Sequence, residues 1–119
     1  MSDLTFYGYA KCSTCKNAQR WLDERELSYT FVDITSAPPP KSLLAAIVAS
    51  EGYELKQLYN TSGKAYREGG YGELRKTLSK GDQLKALAGN GRLIKRPILS
   101  DGTRHTLGFK AEVYEATWG

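Results

Sequence analysis

The order of hydrophobic and polar positions predicts that the chain begins with a strand, a helix and a second strand. Leu4 to Tyr7 is short and β-rich, and Gly8 follows it. From Ser13 to about Arg25 a helix is expected, with Ser13 as its N-cap and one apolar face formed by Cys15, Ala18, Trp21 and Leu22. Leu27 to Ile34 is nearly continuous in apolar residues and predicts a strand buried on both faces. Such a βαβ unit has parallel strands and a right-handed crossover.

The middle of the chain predicts a block of short helices. Three prolines, Pro38 to Pro40, lead into a helix that Gly52 is expected to end. Apolar residues at helical spacing predict three further helices, within Leu55–Tyr59, Tyr71–Leu78 and Leu84–Ala88. Aliphatic positions of this kind indicate core packing more often than a docking groove, so we interpret the block as core.

The last third of the chain returns to strands. Pro97 to Leu99 is apolar, Asp101-Gly102 is a hairpin turn signal, and Thr103 to Leu107 completes the hairpin. A final helix is expected from Lys110, with Ala111, Tyr114 and Trp118 on one face. The whole order, β-α-β, helices, β-β-α, predicts an α/β chain with a thioredoxin-like fold and a four-stranded mixed sheet. We expect one domain, 1–119, in which 1–36 and 92–119 form the sheet halves and 37–91 is a helical insertion.

Composition narrows the class of protein. The 119 residues are 40% hydrophobic and 25% charged, as in ordinary globular domains. No apolar run approaches the roughly 18–20 residues of a membrane span, and the start has no secretory pattern, so we expect a cytoplasmic protein without membrane contact. The formal net charge of +4 comes without any basic run longer than a pair, and we expect a monomer that does not bind nucleic acid directly.

The two cysteines are the strongest chemical signal. They lie three residues apart, in Cys12-Ser13-Thr14-Cys15. A disulfide between them would close too small a loop to stabilise a fold, and the spacing is typical of a redox-active pair. A thiolate at a helix start is stabilised by unpaired backbone N–H groups, here with Lys11 beside it, and Ser13 and Thr14 are candidate contacts for an anionic or thiol substrate. We therefore predict Cys12 as the nucleophile and Cys15 as the resolving cysteine, which together form a disulfide bond.

Two other interpretations of these residues stay open. Cys15 shares the apolar helix face and could be a buried core residue. A zinc site would have at most three ligands, both cysteines and His105, so we predict no metal and interpret His105 as a hairpin residue without a role.

Arg96-Pro97 is a second candidate group. A proline that opens the third strand of a thioredoxin-like sheet is typically cis and lies against the active cysteine, and Arg96 would then direct its donors at an anion over Cys12. The alternative is an arginine paired with a surface acid. The glycines between 63 and 72 indicate a flexible segment near the site, from which Arg67 is a candidate ligand contact.

Several segments together resemble the ArsC-like family, which contains glutaredoxin-coupled arsenate reductases and Spx/MgsR-type proteins. They are Cys12 to Cys15 after Phe-Tyr-Gly, Tyr59 to Gly63 with Tyr66-Arg67, Lys95 to Ile98, and Leu107 to Phe109. The resemblance covers Leu4 to about Trp118. It implies one reactive cysteine, carried by Cys12, and three oxyanion-binding arginines, of which Arg96 matches one, whereas Ser62 and Phe109 stand where the other two are expected.

The resemblance implies three functions. The first is a thiol-disulfide oxidoreductase of arsenate reductase-like type, with no bound cofactor and with glutathione or glutaredoxin as the candidate thiol partner. The second is a redox-sensing regulator of Spx type that binds the α subunit of RNA polymerase, as the second cysteine suggests. The third is a glutaredoxin-dependent arsenate reductase, which the loss of two guanidinium groups disfavours.

Overall fold

The computed structural model describes residues 4–51 and 53–119 and confirms the thioredoxin-like fold. The four strands are β1 (Thr5–Gly8), β2 (Thr30–Asp33), β3 (Ile98–Ser100) and β4 (His105–Leu107). Their order in the sheet is β2-β1-β3-β4. β1 and β2 run parallel, while β3 runs antiparallel to both β1 and β4, so the sheet is mixed as predicted.

Helices cover both faces of the sheet, because successive residues of each strand point to opposite sides. Phe6 and Leu99 face α1 (Ser13–Glu24) and α6 (Ala111–Trp118). Ile98 faces the other side, where it packs with buried residues of α2 (Lys41–Glu51) and α5 (Lys80–Ala88). We call these sides the α1/α6 face and the insertion face.

Helix α1 buries the predicted side chains, Cys15, Ala18, Trp21 and Leu22. Its start differs from the prediction, which was wrong about Ser13. The N-cap is Cys12, with extended backbone angles (φ −87°, ψ 121°). Since the chain leaves the loop one residue earlier than the pattern indicated, Ser13 is already helical and its side chain is exposed.

The prediction that the second strand is buried on both faces was also wrong. β2 is the edge of the sheet, next to β1 alone, and Phe31 remains 38% exposed while stacking on Phe6. The last apolar residue of the run, Ile34, is buried, but it lies just beyond the strand and packs in the core of the insertion face.

Short helices join the two halves of the sheet, as the sequence predicted. A 3₁₀ helix spans Leu55–Leu58, α3 spans Lys64–Glu68, α4 spans Tyr71–Leu74, and a second 3₁₀ helix spans Gly91–Leu93. α3 falls in the glycine-rich segment that was predicted to be flexible, and α4 ends before Leu78. The predicted end of α2 at Gly52 lies outside the described residues.

The C-terminal hairpin and helix form where predicted, with two differences in detail. Ala111 is exposed, so Tyr114 and Trp118 alone bury the α6 face. His105 has a structural contact, since its Nδ1 lies 2.7 Å from the Ser100 Oγ and both residues are buried. Among the described helices, none combines the length and the apolar character required to cross a membrane.

Candidate active site

The cysteines lie at the end of the sheet where β1 finishes. β1 leads through a short loop to Cys12, whose N–H donates to the Tyr9 carbonyl at 3.0 Å. Because β3 is antiparallel to β1, the start of β3 lies beside the end of β1, and Tyr7 pairs with Ile98. The loop that carries Arg96 and Pro97 therefore meets the Cys12 loop at this edge of the sheet.

Cys12 is the more exposed of the two thiols and the one whose pKa is lowered. Its partial burial alone would raise its pKa, but hydrogen bonds from the backbone and thiol of Cys15, together with the hydrogen bond and charge of Arg96, lower the pKa below its ordinary value. The N–H groups at the start of α1 have no intrahelical partner, which also favours an anion at this position. Cys12 therefore has the features of a nucleophilic thiolate.

Cys15 has the opposite character. It is fully buried, and burial, together with the hydrogen bond and charge of a Cys12 thiolate, raises its pKa to about 12. Its sulfur packs against Gly8, where an added Cβ would lie 3.3 Å from Sγ. Both thiols are free and not joined as a disulfide. At neutral pH, Cys15 stays protonated and donates its hydrogen bond to Cys12.

Arg96 acts on the Cys12 sulfur through a hydrogen bond and through its charge. The Arg96-Pro97 peptide bond is cis, and Pro97 is buried. The Arg96 guanidinium carbon lies 5.2 Å from the centre of the Tyr9 ring, within the range of a cation–π contact. This contact orients the guanidinium while it also acts on the Cys12 sulfur.

The other polar candidate residues are all exposed. Ser13 and Thr14 are exposed on the first turn of α1, and Lys11 is exposed in the preceding loop. The groups that shift the pKa of Cys12 are Cys15 and Arg96, and Lys11 is not one of them. Arg67 is exposed on α3 beside Lys64 and Glu68, and it is not among the groups that shift the pKa of Cys12.

A cavity of about 580 Å³ opens at the edge of the sheet where β4 finishes. It lies between the 3₁₀ helix Leu55–Leu58 and the start of α6. Three lysines and one acid contribute charge to it, and they are Lys56, Lys95, Lys110 and Glu54. No local pattern in the sequence predicts this cavity, because its walls come together only when the loop before β3 and the segment after β4 are in place.

Across the described part of the chain, no three His, Cys, Asp or Glu side chains converge in a way that could hold a metal ion. The charged side chain beside the Cys12 sulfur is the cationic Arg96, which suits an anion.

Comparison with known proteins extends these observations. The family model described as "ArsC family" matches residues 7–117. The uncharacterized protein YusI of Bacillus subtilis is 43% identical over 97% of this chain and 98% of its own length. The structure of a possible arsenate reductase from Streptococcus mutans superposes with a TM-score of 0.88 at 37% identity, covering 97% and 99% of the two chains. The global transcriptional regulator Spx of Enterococcus faecalis is 28% identical over 92% of this chain and 81% of its own length.

Proposed function

The chain belongs to the ArsC family, and we propose that it acts as a thiol-disulfide oxidoreductase in which Cys12 attacks and Cys15 resolves. The observation that carries this proposal is the division of roles between the two sulfurs. Cys12 is accessible and its pKa is lowered, while Cys15 is buried behind it and its pKa is raised.

The first step is a thiol-disulfide exchange. The Cys12 thiolate attacks one sulfur of a substrate disulfide, forms a mixed disulfide with it, and releases the other sulfur as a thiolate that takes a proton from water. Arg96 holds Cys12 in its anionic form before the attack. The substrate disulfide is half reduced at this stage, and the protein carries the new sulfur–sulfur bond.

The second step uses a change in the environment of Cys15. In the mixed disulfide Cys12 no longer carries a negative charge, so both influences of the Cys12 thiolate that keep Cys15 protonated are removed. The pKa of Cys15 falls, and its thiolate attacks the Cys12 sulfur and releases the second substrate thiol. The products are two thiols and a Cys12–Cys15 disulfide, which a thiol donor such as glutathione reduces with two electrons.

Single-cysteine variants test this order of events. With a small disulfide and a thiol donor, Cys12→Ser should lower the rate by on the order of a thousandfold or more, because no nucleophile remains. Cys15→Ser and Cys15→Ala should instead accumulate the mixed disulfide on Cys12, which mass spectrometry detects. Retained turnover in Cys12→Ser, or turnover in both Cys15 variants without a trapped adduct, would contradict the proposal.

A regulatory role of Spx type is the second candidate, favoured by the similarity to the Enterococcus faecalis regulator. Here the same two thiols would act as a switch for binding the α subunit of RNA polymerase. A binding assay with that subunit, on reduced and oxidised protein, separates the two roles. Binding in one redox state supports the regulator, whereas turnover without binding in either state supports the enzyme.

Arsenate reduction is the third candidate, and the similarity to the possible arsenate reductase of Streptococcus mutans supports it. Two side chains weigh against it. Ser62 is exposed in a turn, and the Phe109 ring packs edge-on against Tyr114 at 4.8 Å, so neither supplies a guanidinium. Arsenate reduction with glutathione and glutaredoxin, measured beside disulfide reduction, compares the two activities directly.

A further inference from the structure

The cavity where β4 finishes is separate from the two thiols. Neither Cys12 nor Arg96 lines it. Among its walls, Tyr59 is buried in the core of the insertion face and Leu107 packs against that core, whereas both cysteines pack in the core of the α1/α6 face. A molecule in the cavity is therefore recognised by the side chains that line it and not by the chemistry of the sulfurs.

Backbone hydrogen bonds between distant segments hold the walls of the cavity in place. The Lys95 N–H donates to the Leu58 carbonyl at 2.7 Å, which fixes the first 3₁₀ helix to the loop before β3. The Leu107 N–H donates to the Tyr53 hydroxyl at 3.4 Å, which fixes the segment before that helix to the end of β4. The walls are thus in place before a ligand arrives, and binding does not have to order them.

The charge of the cavity is positive. Lys56, Lys95 and Lys110 line it together with one acid, Glu54, so three positive charges and one negative charge leave a net +2. Among residues 4–51 and 53–119, no side-chain ion pair involves any of these lysines. Glu54 already accepts a hydrogen bond from the Gln57 backbone. The three ammonium groups can therefore each contact an anion from outside the chain.

Packing places the ammonium group of Lys95. A Cβ at Gly108 would lie 3.0 Å from the Lys95 Cε and 3.8 Å from its Nζ, so the aliphatic part of this lysine rests on the bare Gly108 backbone. Gly108 has φ +70°, a conformation that favours glycine. A side chain supported in this way loses less conformational entropy when it binds a ligand than a freely rotating one.

The size and the apolar walls of the cavity suit a small organic ligand. Its volume of about 580 Å³ falls within the range of small-molecule sites. The apolar part of the wall comes from two tyrosines and two aliphatic residues, which are Tyr53, Tyr59, Leu107 and Val113. An aromatic ring or a short hydrocarbon chain can bury its surface against such a wall.

We propose that this cavity binds a small organic dianion, whose apolar body lies against the tyrosines and whose negative charges contact Lys56, Lys95 and Lys110. Two negative charges balance the net +2 of the lining side chains. Binding involves no covalent step and needs no exchange at Cys12, so this proposal and the proposed function can fail independently of each other.

Three benzene derivatives test the class of ligand. Terephthalate carries two negative charges, benzoate carries one and benzyl alcohol carries none. In NMR titrations the dissociation constants should rise in that order, the amide signals of the three lining lysines should shift, and high salt should weaken the binding of terephthalate. Phenyl phosphate, with both charges at one end of the ring, shows by comparison which arrangement of charges the cavity prefers. Equal binding of terephthalate and benzyl alcohol, or unshifted lysine signals, would show that the proposal is wrong.

Lysine variants test the individual contacts. Lys56→Met, Lys95→Met and Lys110→Met should each raise the dissociation constant of terephthalate about two- to fivefold, as the loss of a partly exposed ion pair predicts. Lys80→Met, on the exposed start of α5, should leave it unchanged. Saturating terephthalate should also leave the rate of Cys12 alkylation unchanged. Undiminished binding in all three variants of the lining lysines, or protection of Cys12 by terephthalate, would overturn the proposal.

Discussion

The two faces of the sheet are assembled in different ways. On the α1/α6 face, both thiols lie at the start of one helix, and their pKa shifts come from burial, from each other and from Arg96, which the loop before β3 supplies. On the insertion face, the core joins residues that are distant in the sequence, such as Ile34, Leu58 and Ile98. The thiols therefore need one contact from a distant segment, whereas the insertion face consists of such contacts throughout.

The largest effect on stability is expected from a substitution that disrupts the packing of the insertion face. A Cβ at Gly91 would lie 1.7 Å from the Ile34 backbone oxygen, so Gly91→Ala forces the second 3₁₀ helix away from the end of β2. We expect the free energy of unfolding in urea to fall by about 3 kcal/mol or more. The pH dependence of Cys12 alkylation in the folded protein should stay as in the wild type, since the thiol lies on the other face.

Gly81→Ala is the matched control for this change. Gly81 lies in α5, and the nearest atom to an added Cβ is the Lys41 Nζ at 3.9 Å. The alanine should therefore stabilise the protein by about 0.4–1 kcal/mol. Equal stability of the two variants would show that the contact between Gly91 and Ile34 does not fix the insertion.

An intermediate effect is expected when the charge beside the thiol is removed. Arg96→Met removes a group that lowers the pKa of Cys12, so the midpoint of alkylation by iodoacetamide should move to higher pH. The rate at neutral pH should fall about fivefold, the factor that corresponds to one partly exposed ion pair. Arg92→Met, an exposed arginine of the second 3₁₀ helix, should leave the profile unchanged. An unshifted midpoint in Arg96→Met would contradict the assigned role.

The smallest effect concerns the outer edge of the α1/α6 face. Arg25 and Glu115 join α1 to α6 by an ion pair whose side chains are 38% and 51% exposed. A double-mutant cycle of Arg25→Met and Glu115→Gln should give a coupling of about 0.2–1 kcal/mol that declines with salt. A coupling above about 2 kcal/mol would mean that this face depends on its surface charges and not on its apolar contacts.

Sequence patterns predicted those structural features that depend on residues close together in the chain. The buried face of α1 follows from apolar spacing at Cys15, Ala18 and Trp21, and the hairpin follows from its Asp101-Gly102 turn. The cis bond before Pro97 agrees with its position at the start of β3. The helix face and the hairpin arise within a few residues of the chain, where spacing and turn chemistry determine the outcome, whereas the cis bond was expected from the thioredoxin-like arrangement.

Other features depend on contacts between distant segments and were missed for that reason. An apolar run cannot distinguish an edge strand from a central one, so Phe31 was expected to be buried on a strand that has one neighbour. Lys95 and Lys110 are ordinary surface lysines in the sequence, and their common cavity requires the end of β4 to meet the start of β3. The close approach of Gly91 to Ile34 has no local signature either.

The start of α1 carries a further consequence. Helix α5 begins at Ser79, whose Oγ accepts a hydrogen bond from the Asp82 backbone, and at the corresponding position of α1 the Cys12 sulfur accepts from the Cys15 backbone. The first turn of α1 contains no acidic residue to oppose a negative charge on that sulfur. The thiolate thus takes the place of a capping oxygen, and protonation or covalent modification of Cys12 weakens the end of its own helix.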